Sequence, residues 1–218
     1  MDILNLDQAL IVINKPAGLA VLPDGWVQDS PYLLKLLKAE YGPVWIVHRL
    51  DKVTSGAIVF ARSADAHRSL SIQFERHEAQ KIYHALAVGL ADWTERSTSQ
   101  RLRSNVGHKH RTIVDSRLGK DSKTTFRILE RFHAHVLLEA RPLTGRTHQV
   151  RVHAAALRLP LLGDALYGAP TSDLIARPAL HAFSLSFLHP ESGQPVEYTA
   201  PYPEDFSEAL RGLRGDKQ

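Results

Sequence analysis

Thr124-Thr-Phe-Arg-Ile-Leu-Glu130 and His135-Val-Leu-Leu-Glu-Ala140 lie on either side of Phe132 to Ala134 and read as two strands around a turn, a hairpin-like pair. Upstream, Gln80 to Gly89 sets Ile82, His84, Leu86 and Val88 on one face against Tyr83, Ala85 and Ala87 on the other, a strand whose two faces meet different environments. Further out, the apolar runs Ala9 to Ile13 and Ala57 to Phe60 read as buried strands, and Ala179 to Phe187 and Val196 to Tyr198 as late ones. Helices fall between them. Ser30 before Pro31 reads as an N-cap with proline at the first helical position, and Leu33, Leu36, Leu37 and Tyr41 follow at helical spacing until Gly42-Pro43. A second helix begins near Ser63 with Ala66, Leu70 and Phe74 inward, a short one runs over Thr147 to Leu157, and a polar one starts about Glu204. Hairpin-connected neighbours without regular crossover helices predict an α+β fold, with a mixed, largely antiparallel sheet core flanked by helices.

The chain has 218 residues, 44% of them hydrophobic, enough for a substantial core. It has no cysteine, which excludes disulfides, thiolate nucleophiles and thiolate metal sites. There are 27 Lys and Arg against 23 Asp and Glu. The basic residues crowd into Arg96 to Lys123, including Arg101, Arg103, Lys109, Arg111, Arg117 and Lys120 with His108 and His110 among them, a surface suited to phosphates. The N-terminus has no basic n-region and no apolar run long enough for a signal or a membrane span, so the protein is expected to be soluble, cytoplasmic and, without a coiled-coil pattern, monomeric.

Two segments resist a purely structural reading. Val47-His-Arg-Leu-Asp-Lys-Val-Thr-Ser-Gly56 places the Asp51 carboxylate between Arg49 and Lys52 in a loop between apolar segments. Asp51 there is either a solvated cap or surface ion pair, or a carboxylate held anionic by cations and used as a nucleophile; spacing alone does not decide. In Leu143-Thr-Gly-Arg-Thr-His-Gln-Val-Arg-Val-His153, Arg146 stands at the mouth of a helix. A cation gains nothing from the dipole there, but its fork of donors suits a carboxylate or phosphate.

With His48-Arg49-Leu50-Asp51, Thr54-Ser55-Gly56 and the 143–153 segment, the chain resembles the RluA-type RNA pseudouridine synthases. Asn14-Lys-Pro-Ala-Gly18, Lys81-Ile-Tyr83 with Gly89, Gly163-Asp164 with Tyr167-Gly168, and Leu180-His-Ala182 extend the resemblance over nearly the whole chain, and His48 with Thr147-His-Gln149 separates it from the RsuA and TruB types. The resemblance implies one catalytic domain over residues 1–218. It implies Asp51 as nucleophile, Arg146 as its ion-pair partner, Tyr83 packed against the target uracil, and Arg49 helping to take the nucleotide out of its helix. His48, Thr54 and Lys81 are expected among the substrate contacts of those motifs, and Arg103, Lys109 and Arg111 as phosphate contacts. The partner implied is ribosomal or transfer RNA. The reaction cleaves the N1–C1′ bond, turns the uracil and rejoins it through C5, with neither cofactor nor metal expected; Gly163-Asp-Ala-Leu-Tyr-Gly168 lacks the Lys-Ser/Thr ending of a phosphate loop.

Two other readings compete. A metal-dependent hydrolase would draw on the 12 His, but His148 and His153 are five apart, off the i, i+4 spacing of a helical pair; His153 is expected to be a packed or hydrogen-bonding residue. A non-catalytic RNA-binding protein would use the same basic stretch. The match begins within the first ten residues, with no room for an S4-like domain, and Asp92 to Ser122 follows the family only loosely, so substrate selection is expected to rest there.

Overall fold

The structure is a computed structural model describing residues 1–23, 30–108 and 110–215. In chain order the elements are β1 (Asp2–Leu6), β2 (Leu10–Lys15), α1 (Leu33–Tyr41), β3 (Trp45–Ile46), β4 (Ser55–Ala61), α2 (Ala64–Glu75) and β5 (Gln80–Val88). Then come β6 (Glu95–Thr98), β7 (Leu102–Val106), β8 (Arg111–Val114), β9 (Thr124–Arg131), β10 (His135–Pro142) and α3 (Gln149–Ala156). A short 3-10 turn (Ala165–Tyr167), β11 (Leu180–Leu188), β12 (Pro195–Thr199) and α4 (Glu204–Arg214) complete the fold. The expected α+β class, with a large and mostly antiparallel sheet, is borne out. The chain divides into two compact units, residues 1–81 with 182–201 and residues 82–181 with 202–218, and the division falls within β5 and β11.

In the first unit β1, β2 and β4 pair antiparallel in that order, β3 adds two residues to β4, and β11 and β12 form a hairpin. All seven residues of β4 are buried, and Leu10, Val12, Val59, Leu70, Leu185 and Phe187 share one core. The Ser63 hydroxyl accepts the Ala66 N–H at 3.1 Å and caps α2 as its sequence predicts. Gly56 is required by close approach: with φ at +114°, a Cβ there would stand 2.2 Å from the Ala182 carbonyl oxygen.

The second unit is built on the hairpin that the sequence shows most clearly. β9 and β10 pair antiparallel, β5 flanks β10 and β6 flanks β9. Alternation on β5 and β10 feeds two cores. Ala85, Ala87, Val136 and Leu138 pack with Val150 and Ala154 of α3, whereas Leu86 and Leu137 pack with Phe206 and Leu210 of α4. The helices therefore cover opposite faces of these strands, which accounts for the two-environment pattern of Gln80 to Gly89.

Three expectations are corrected. Ser30 is not the cap of α1: the helix starts at Leu33, and the N–H groups of Leu33 and Leu34 donate to the carbonyls of Ala20 and Val21 at 2.8 and 3.2 Å. Backbone from an earlier turn does what a side chain was expected to do. Helix α3 does not open directly after Arg146 but at Gln149, with His148 in the left-handed region (φ 54°) ahead of it. The basic stretch contains β6, β7 and β8, and β1 was not foreseen; these strands are only four or five residues long, too short for a period of two to stand out.

Candidate active site

Asp51 stands in the loop that leads from β3 to β4 in the first unit, half-buried, while Arg49 is exposed. The loop closes on itself where the Thr54 N–H donates to the Asp51 carbonyl at 3.0 Å. It is also fastened from β2. The Lys15 side chain is fully buried, and its Nζ donates to the carbonyls of Pro16 (2.8 Å), Leu19 (2.9 Å) and Lys52 (3.3 Å). Three carbonyls match the three donors of an ammonium. The Gly18 N–H reaches the same Lys52 carbonyl at 2.8 Å, so the Asn14 to Gly18 turn and the Asp51 loop form one fastened piece.

Of His48 and Thr54, expected among substrate contacts, Thr54 is buried and His48 half-buried. The His48 ring stacks on Phe74 with centroids 4.5 Å apart, and its Nε2 accepts the Val59 N–H at 3.2 Å. Burial, with the nearby Lys81 cation, pushes the imidazole down to about 3, so it is neutral at physiological pH. Thr54 is 2% exposed, too little to offer a substrate a surface. Lys81, half-buried at the start of β5, has its own pKa lowered by burial.

The second unit holds Tyr83, Arg146, Arg103 and Arg111. Tyr83 is half-buried, packs on the Ala85 to Ala140 core and stands opposite Ala140. Because β10 runs out at Pro142 into the 143–148 turn, Tyr83 and Arg146 belong to the same end of the β5–β10 ladder. Gln149, 4% exposed, organises that turn. Its Oε1 accepts the Thr144 hydroxyl at 2.7 Å and the Arg146 N–H at 3.0 Å, and its Nε2 donates to the Lys123 carbonyl and the Thr124 hydroxyl, both at 3.0 Å. Every hydrogen-bonding site of the amide is thus filled. The Arg146 Nε donates to the Asp121 carbonyl at 3.1 Å, which fixes the plane of the guanidinium.

Arg103 and Arg111 are exposed on the β7–β8 hairpin; Lys109 lies outside the described residues. The basic stretch is partly self-neutralised, since Arg103 reaches Asp115 at 3.6 Å and Arg101 reaches Asp121 at 3.0 Å. His108 and His110 are exposed, as the basic-surface reading requires. His153 is fully buried and bonded to the Thr124 hydroxyl at 2.9 Å and the Gln100 carbonyl at 3.0 Å, the packed role expected of it. Among the described residues no group of three or more His, Asp or Glu is arranged to hold a metal ion.

The sequence reading assigned no role to Lys15, Gln149 or Tyr167. All three lie inside the quoted motifs, and a polar side chain within a motif is the signal that was available.

Residues 9–156 match the RNA pseudouridylate synthase family. The ribosomal large subunit pseudouridine synthase D of Xylella fastidiosa is 41% identical over 99% of this chain and 70% of its own length. The protein of the same name from Xanthomonas campestris pv. campestris is 39% identical, with the same coverage of both chains. Among solved structures, human RNA pseudouridylate synthase domain containing 4 superposes with a TM-score of 0.81 at 26% identity, covering 98% of this chain and 93% of that one. No helix among the described residues is long and apolar enough to cross a membrane. The RluA-type resemblance is therefore borne out across the chain, which belongs to the RNA pseudouridylate synthase family and is an enzyme that isomerises uridine in RNA.

Proposed function

We propose that this enzyme converts specific uridines of large-subunit ribosomal RNA to pseudouridine, with Asp51 as nucleophile, Arg146 as its ion-pair partner and Tyr83 as the surface on which the uracil packs. The ribosomal substrate is supported by the relatives that carry it in their names, at 35–41% identity over nearly the whole chain. The observation that carries the assignment of Asp51 is its loop, fastened on one side by the buried Lys15 and closed by its own Thr54 turn. A carboxylate used as a nucleophile needs a fixed backbone, because misplacement of the attacking atom is costly.

The N1–C1′ bond breaks, the uracil turns, and C5 bonds to C1′; C5 gives up its proton and N1, freed of the sugar, takes one up, so the product is an isomer of the substrate. The target base must leave its stack first, and the exposed Arg49 occupies the vacated space. Lys81, Arg103, Arg111 and Lys109 contact the RNA, the last three through phosphates. His48 and Thr54 act indirectly, by holding the Asp51 loop. The two compact units work as one catalytic domain, monomeric and cytoplasmic, without cofactor or metal.

Tritium release from RNA labelled at uridine C5 tests the reading. Wild type is expected to release tritium from large-subunit ribosomal RNA, and Asp51→Ala to lose about 10³-fold or more of the rate. Release from transfer RNA alone would overturn the substrate. Undiminished release by Asp51→Ala would overturn the nucleophile.

A further inference from the structure

The segment Gly163 to Gly168 has no part in the chemistry above, yet it holds a buried ion pair of the second unit. Arg151, 4% exposed, makes a bidentate ion pair with Asp164, 1% exposed, at 2.7 and 2.8 Å. The Arg151 guanidinium carbon stands 5.0 Å from the centre of the Tyr167 ring, which fixes the ring from one side. Gly163 makes the platform possible, because a Cβ there would stand 2.3 Å from the Arg177 carbonyl oxygen.

From this platform the Tyr167 hydroxyl reaches two elements. It accepts the Thr112 N–H at 2.9 Å and lies 2.7 Å from His148 Nδ1. One phenolic oxygen thus ties the Thr112 backbone to the His148 ring. Thr112 is on β8, and the β7–β8 register skips it: Arg103 pairs with Ile113, the next pair is Val106 with Arg111, and Asn105 in the irregularity has φ 66°. An N–H that the ladder omits is therefore taken by Tyr167. On the other side, His148 is in the left-handed region, two residues after Arg146 and directly ahead of α3. A non-glycine residue there needs its surroundings to hold it. Helix α3 also packs against β8.

We propose that Tyr167 is a positioning residue: its hydroxyl locks the basic β7–β8 hairpin to the turn that carries Arg146, so that RNA held by Arg103 and Arg111 is held in register with the catalytic arginine. The inference rests on the proposed function for the hairpin's contact with RNA. Burial raises the Tyr167 pKa, which keeps the hydroxyl protonated and able to donate.

Tyr167→Phe removes the hydroxyl and keeps the ring over Arg151. The expected result is a folded protein in which the Thr112 amide exchanges hydrogen faster and kcat/KM on in-vitro transcribed large-subunit ribosomal RNA falls about tenfold. The decisive measurement is a double-mutant cycle on RNA affinity. In the Tyr167→Phe background the loss caused by Arg111→Ala is expected to shrink about threefold or more, whereas a merely structural tyrosine lowers the melting temperature and leaves the two losses independent. Independent losses, or kcat/KM within about twofold of wild type, overturn the proposal. If Tyr167→Phe does not fold, His148→Asn, which tolerates the left-handed backbone and keeps the Thr112 bond, is put through the same cycle and decides in the same way. A wild type that forms no pseudouridine would defeat the proposed function, while the affinity cycle would still decide the coupling.

Discussion

Around Asp51 the backbone is fastened by one buried cation that reaches main-chain carbonyls, whereas around Arg146 it is fastened by a neutral amide that reaches both side chains and main chain. Lys15 asks nothing of its partners' side chains, since every residue offers a carbonyl, so the brace depends on a single residue and fails all at once. Gln149 needs Thr144 and Thr124 at defined places, so that brace is distributed over several residues and fails by degrees. The difference also matches what each segment carries. A cation beneath a loop that bears a carboxylate avoids like-charge repulsion, and a neutral brace avoids it beneath a turn that bears a guanidinium.

The largest expected effect comes from Lys15→Met, which keeps the stem and takes the ammonium from three carbonyls, of which that of Lys52 keeps the Gly18 N–H. A loss of about 3 kcal/mol, or roughly 10 °C in melting temperature, is expected by calorimetry. A loss under about 1 kcal/mol would break the comparison, because the Asp51 loop would then not depend on its cation. Next comes Gln149→Glu, which keeps the acceptors and removes the two donors. We expect about 1–3 kcal/mol of destabilisation and a fall of about tenfold in single-turnover rate, with a smaller change in RNA affinity. Equal losses in rate and affinity would mean that the network holds the RNA surface and not the arginine.

Charge removal on the hairpin sharpens the comparison at lower amplitude. Arg111→Ala and Arg103→Ala are each expected to weaken RNA binding a few-fold and to reduce the salt slope by about 1. Arg111 should matter more, because Arg103 already has Asp115 as a partner. Filter binding across a salt series checks this, and unchanged slopes would remove the hairpin from the interface.

The last test is one of pH, and it touches one histidine in each unit. Burial, first among the causes, depresses His48 to about 3 and His84 to about 4, against 6.5 for each unfolded. The unfolded chain therefore binds more protons below 6.5, so the stability these groups contribute is complete above pH 6.5. It is lost as pH falls, down to about 3 for His48 and about 4 for His84, with a slope of up to ~1.4 kcal/mol per pH unit for each. Urea unfolding between pH 7 and 4 should show a shallower acid-side slope for His48→Gln than for wild type. Parallel slopes would show that the His48 ring is not buried as its stacking on Phe74 implies.

Legibility followed the kind of interaction. The Thr124 to Ala140 hairpin and the two faces of Gln80 to Gly89 were readable because alternation records which side chains leave water, and the Ser63 cap because donor and acceptor lie three residues apart. The loop of Asp51 and the turn of Arg146 stood out as motifs by the charged residues they carry. That Thr54 is buried and that the His48 ring accepts the Val59 N–H was not readable, since a sequence does not say which members of a motif face inward.

The sequence by itself determined the fold class, the family and the position of its signature segments, because periodic burial and motif order are properties of neighbouring residues. Only the tertiary structure decided how those segments are held. The Lys15 ammonium meets Lys52 from 37 residues away, Tyr167 meets Thr112 from 55, and α1 is capped by the Ala20 and Val21 carbonyls. A buried polar group must find a partner wherever the folded chain brings one, and that meeting is written in no local pattern.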